Sequence, residues 1–101
     1  MDELLEIIRQ LDEDETIFAL YHDRGRRVNV KYVETKVLGD YLSKKVGRLM
    51  ELIDEQLVHS GRPNTHNWLQ IKKAGYNVHM VHDEYAAILD TNRITILFEC
   101  D

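Results

Sequence analysis

The residues best equipped for chemistry lie in one stretch, LVHSGRPNTHNWLQIKKAGYNVHMVH. It spans residues 57–82, contains no Asp or Glu, and holds four of the five histidines and the only tryptophan. His79 and His82 are three apart. On a helix that spacing lets two imidazoles share a metal; on a strand it sends them to opposite faces. YNVHMVH reads as a strand, and a catalytic zinc would also need a third ligand from His59, His66, Asp83 or Glu84. The sequence therefore calls for no metal and no cofactor.

Histidine beside a carboxylate is the other chemistry on offer, because such a pair transfers protons near neutral pH. His22–Asp23 and His82–Asp83 are adjacent in the chain, but adjacent strand residues point apart. Ser43, Ser60 and Cys100 stand in no nucleophile pattern. A histidine-dependent hydrolase or nuclease is thus the minor reading, and enzymatic activity stays uncertain.

The acid-free stretch also suits nucleic acid. Arg62, Lys72 and Lys73, joined by Arg24, Arg26 and Arg27 of an upstream hairpin, are phosphate-binding cations, and Trp68 is a base-stacking aromatic. Against this, Trp68 and Ile71 at i and i+3 look like a packing face, and the whole chain carries a net charge of −5 where nucleic-acid domains are basic. The alternative reading is accordingly a nucleic-acid binder using a helix over 63–74 and the hairpin at 24–27.

The charge is segregated. Residues 1–15 sum to −6, 16–82 to +5 and 83–101 to −4. A dipolar surface of this kind steers charged partners. Together with the missing catalytic constellation, it makes protein–protein contact the leading expectation. The chain reads as a small acidic binding module, an accessory regulator or inhibitor of the sort a phage or mobile element encodes. Its acidic site would comprise Asp12, Glu13, Asp14, Glu15, Asp83 and Glu84.

The elements that must position these residues follow from periodicity. The 101 residues, 44% hydrophobic, suffice for one domain with its own core. Leu4, Ile7, Ile8 and Leu11 predict a helix over 2–11 with Asp2 as N-cap. TIFALYHD and RRVNVKYV form a hairpin about Gly25, with Val28, Val30 and Tyr32 on one face of the second strand. Leu38, Tyr41, Leu42, Val46, Leu49, Leu52, Ile53 and Leu57 form the stripe of one long amphipathic helix with Thr35 as its cap. Within it Lys45 falls inside the stripe, and Gly47 falls on the polar face, where a kink or the close approach of a partner would account for it. A helix bounded by Pro63 and Gly75 precedes a strand and a second hairpin, in which Leu89 faces Ile94.

The order α-β-β-α-α-β-β-β, with strands grouped in hairpins, predicts a single α+β domain over 1–101 whose mostly antiparallel sheet packs on the long helix. Phe18, Leu20, Ile88 and Leu97 are left for the other face, which predicts a homodimer through them. One cysteine, no signal-like N-terminus and no apolar run of about 20 residues predict a cytoplasmic protein without a membrane partner.

Overall fold

The apolar spacing of the N-terminal segment becomes α1, Asp2–Glu13, capped by Met1 rather than Asp2. Leu4, Ile7, Ile8 and Leu11 are all buried. The computed structural model describes residues 1–23, 27–37, 39–81 and 86–99; for residues 23 and 27–29 it describes the backbone. Arg24, Arg26, His82, Asp83, Glu84 and Cys100 lie outside the described residues.

After α1 come β1 (Ile17–Asp23) and β2 (Arg27–Glu34), then α2 (Asp40–Leu52), continued by a π-helical turn at Ile53–Leu57. A two-residue ladder, β3 (Val58–His59) with β4 (Arg62–Pro63), leads to α3 (Thr65–Lys73), β5 (Asn77–Val81), β6 (Ala86–Asp90) and β7 (Ile94–Glu99). The five long strands form one sheet in the order β2-β1-β7-β6-β5. Only the central β1–β7 pair is parallel; the other pairs are antiparallel. The result is a two-layer α+β domain with its helices on one sheet face.

Between the layers lies the core. Phe18, Leu20, Ile94, Ile96, Phe98, Ala87, Leu89 and Val78 from the sheet meet α1, Leu49, Leu52, Ile53, Leu57, Trp68 and Ile71. Fully burying a large apolar side chain stabilises by about 1.5–3 kcal/mol each, so this single cluster dominates the fold. Its largest member, Trp68, is 0% exposed, and its Nε1 donates to the Leu57 carbonyl at 2.9 Å. Trp68 is a packing residue, with its ring closed to any base.

The structure corrects the sequence expectations in five places. First, the long helix is shorter and irregular. Thr35 does not cap it; its Oγ1 accepts from the Val37 amide in a local turn, and Gly39, with φ of 90°, precedes the first helical residue. Second, the irregularity sits not at Gly47 but at the π-helical turn. That turn's loosened carbonyls are taken by α3: Asn67 Nδ2 donates to the Gln56 carbonyl at 2.7 Å, and Trp68 takes Leu57. Third, Pro63 belongs to the β3–β4 ladder, whose turn residues Ser60 and Gly61 both have positive φ, and Asn64 caps α3 instead. Fourth, a bulge at Lys31 pairs Tyr32 with Ala19 but Val30 with Leu20, which sends Val30 and Tyr32 to opposite faces.

Fifth, Phe18 and Leu20 cannot share a surface with Ile88 and Leu97. Parallel pairing puts Phe18 beside Ile94 and Leu20 beside Ile96, deep in the core, at 1% and 2% exposure. The cross-strand neighbours of Leu97 are Tyr21 and Ile88. In the second hairpin Leu89 faces Ile96, not Ile94, a slip of two residues. An even slip leaves every side chain on its expected face. The turn widens because the Thr91 hydroxyl accepts from the amides of Arg93 and Ile94.

Candidate binding surfaces

The acidic run at residues 12–15 caps α1 and would be a free anionic patch if its carboxylates pointed to water. Instead each has a partner within the chain. Asp12 accepts from Thr91 Oγ1 at 3.0 Å, and its carbonyl accepts from Arg93 Nη1. Glu13 pairs with Arg9. Asp14 holds Lys45 Nζ at 3.0 Å and the Tyr41 hydroxyl at 3.2 Å. Glu15, in the left-handed region at φ 59°, pairs with Lys36. The run thus ties α1 to α2 and to the β6–β7 turn. Lys36 beside Glu15 holds that carboxyl below its ordinary value, as Arg48 does for Glu3. Arg9 and Gln10 hold Glu6 down at about 2.

Lys45 is resolved by the same cluster. Its side chain is 11% exposed, with the ammonium on Asp14 and 3.8 Å from the centroid of the Tyr41 ring. A part-buried lysine is tolerated when its charge is paired and lies over an aromatic face.

Among the described residues, the basic positions are not brought into one patch. Lys72 and Lys73 are exposed in the last turn of α3, four and five residues before Asn77, which begins β5. Arg27 begins β2, and its backbone pairs with Asp23. Asn77 shares a row with Asp90, Thr95 and Ala19, whereas Arg27 shares one with Asp23, Glu99 and Ala86. These are opposite ends of the sheet and its two opposite edges, about 20 Å apart laterally at a strand spacing of ~4.8 Å. Arg62, exposed on β4, belongs to neither group.

The histidines also separate. His59, His66 and His79 are exposed on β3, α3 and β5. Among the described residues no three His, Cys, Asp or Glu side chains group around a metal position. His22 pairs with Asp54: its Nε2 lies 3.1 Å from Asp54 Oδ1, its ring packs on Phe98, and it is 2% exposed. Its Nδ1 is buried with no hydrogen-bond partner among the described residues. The π-helical turn is what aims Asp54 at this ring. Such turns recur at functional sites; here the imidazole is buried against Phe98, while Asp54 is exposed.

Among the described residues, apolar side chains line two open surfaces, and sequence reasoning missed the first. Between the edge strand β2 and α2 runs a groove lined by Val33, Leu42, Ser43, Val46, Gly47 and Met50. Val33, Leu42, Val46 and Met50 are half-buried and rest on the core. α2 passes through Gly47 without a break, and a Cβ built there meets nothing within 4 Å. A kink therefore does not explain this glycine, nor does a close contact within the chain. The helical wheel placed Gly47 among polar residues; the groove exists because α2 leaves that flank uncovered beside β2. The second surface is the outer sheet face, where Ala19, Tyr21, Lys31, Thr95 and Leu97 surround a shallow cup.

No family model, curated protein or solved structure matches the chain. No helix among the described residues is long and apolar enough to cross a membrane.

Proposed function

We propose that the chain is a protein-binding module whose partner seats an apolar segment in the groove between β2 and α2. The observation that carries this reading is Gly47. A glycine inside a helix costs roughly 1 kcal/mol against alanine, and nothing among the described residues requires it. Its missing side chain opens the groove floor beside Val46 and Met50. The adjoining strand β2 is an edge of the sheet, so an extended segment can also find main-chain partners there. Binding then relies on apolar contact in the groove, while the acids at residues 12–15 serve the fold.

The test is capture from an extract of the source cell, with and without nuclease, by the native chain and by Gly47→Leu and Lys72→Ala/Lys73→Ala. The expected result is a defined protein that survives nuclease, is lost with Gly47→Leu and is kept with the lysine pair removed. Material that disappears with nuclease and depends on Lys72 and Lys73 would instead establish the nucleic-acid reading and overturn this one.

A further inference from the structure

The groove between β2 and α2 has a charged end. Along α2 its lining runs from Leu42 through Val46 and Gly47 to Met50. Four residues on, about one turn further along the same flank, stands Asp54 in the π-helical turn. The sheet side runs in step with the helix. Phe18 pairs with Val33 and Leu20 with Val30, and paired residues share a face, so both valines stand on the core side of β2. Val30 is 41% exposed there. His22, two residues beyond Leu20 on β1, is the residue that Asp54 meets. The apolar track therefore leads from Val33 toward Asp54.

Asp54 differs from the acids of the α1 end. Glu13, Asp14 and Glu15 are each met by an arginine or a lysine. Asp54 is 55% exposed, and the one partner it has among the described residues is the buried His22 ring, on Oδ1. It also stands where a carboxylate is least favoured. The carbonyl end of a helix carries partial negative charge and attracts cations. Yet the last turn of α2 and its π-helical continuation hold no basic residue, while the continuation holds Asp54 and Glu55. Resting on the groove reading above, we infer that the segment seated in the groove is extended and carries a lysine or arginine that pairs with Asp54. The edge strand β2 offers an extended segment its main-chain partners. Gly47 and Asp54 are seven residues apart, about 10 Å along the helix. In extended chain at about 3.3 Å per residue, this falls between two and four residues, the even spacings that keep side chains on one side. The recognised motif is thus an apolar residue over Gly47 with a basic residue two or four positions away.

The test starts from a random peptide library displayed on phage, selected on the native chain and depleted on Gly47→Leu. The surviving peptides are expected to carry that motif. One of them, and its counterpart with glutamine in place of the basic residue, are then titrated by fluorescence anisotropy against the native chain and Asp54→Asn. Asparagine keeps an oxygen for the His22 ring, and circular dichroism checks that the fold is kept. At low salt the basic peptide is expected to bind the native chain about threefold tighter than its glutamine counterpart, the scale of a half-exposed ion pair. That advantage should vanish with Asp54→Asn and shrink in high salt. Surviving peptides without a basic residue would mean that Asp54 is answered within the chain, and they overturn the inference while the groove reading stands. So does a basic preference that Asp54→Asn leaves intact. A library that yields no peptide lost on Gly47→Leu overturns the groove reading and this inference with it.

Discussion

Replacing Gly47 should make the fold more stable and its groove less useful, and the two effects can be measured apart. In Gly47→Ala the backbone is already helical and the new methyl meets no atom within 4 Å. The change is therefore close to pure helix propensity, about 1 kcal/mol in favour of alanine. Unfolding entropy of roughly 2.1 cal/mol/K per residue converts this to a rise in Tm of about 5 °C. Gly47→Leu should gain nearly as much, since leucine is almost as good a helix former, but its side chain enters the space between Val46 and Met50. Differential scanning calorimetry reads the first effect and partner capture the second. An unchanged or lower Tm for Gly47→Ala would mean that the glycine is needed by the fold, and the argument from an unexplained glycine would collapse. A higher Tm for Gly47→Leu with capture intact would move the partner elsewhere.

Other outcomes follow from the core and the charge pairs. Trp68→Phe removes one of two donors to the Leu57 carbonyl, which keeps the Asn64 amide, and should cost about 1–2 kcal/mol, from one lost hydrogen bond plus a small cavity; a urea midpoint within experimental error of native would deny the indole any role in holding the π-helical turn. Asp14→Ala strands a lysine side chain that is 11% exposed and should cost about 2 kcal/mol, whereas Lys45→Met keeps the apolar stem and should cost under about 1 kcal/mol; equal losses would mean that the pair contributes nothing as a pair. Acid should destabilise through Glu3, Glu6 and Glu15, whose carboxyls are held below their ordinary 4.5 by Arg48, Arg9 and Lys36 respectively. Between 4.5 and about 2 the unfolded chain binds protons that the folded one refuses, so stability present above this window is lost as pH falls through it. All three are fully exposed, so the loss is small and salt should erase most of it; a Tm that holds steady across the window at low salt would contradict the pairing.

What the sequence made legible was set by local rules. Leu4, Ile7, Ile8 and Leu11 repeat at helical spacing and are buried as that spacing implies. Ala87 and Leu89 alternate with Ile88, and even a register slip of two residues left their faces unchanged. Trp68 and Ile71, one helical turn apart, gave the packing face of α3. The parts that escaped are those fixed by residues far along the chain. β1 is apolar on both faces, so alternation could say that Phe18 and Leu20 share a side but not which side; the parallel neighbour β7 decides that. The π-helical turn is indistinguishable from helix in its own sequence, because what stabilises it comes from Asn67 and Trp68.

The same non-locality reverses the weight given to the charges. A run of four acids beside a basic middle reads either as a solvated turn or as a site held out to a partner, and composition alone does not choose. In the fold, the carboxylate of Asp12 is answered by Thr91, that of Glu13 by Arg9, that of Asp14 by Lys45 and Tyr41, and that of Glu15 by Lys36. A carboxylate engaged in this way must give up an existing partner before it can bind another, so much of any new attraction is cancelled by the pair that is lost. Val33, Leu42, Val46 and Met50, already half-stripped of water, give up no such contacts when a partner covers them. In the proposed reading the surface binds through apolar contact, and Gly47, whose place in a helix costs roughly 1 kcal/mol against alanine, marks where.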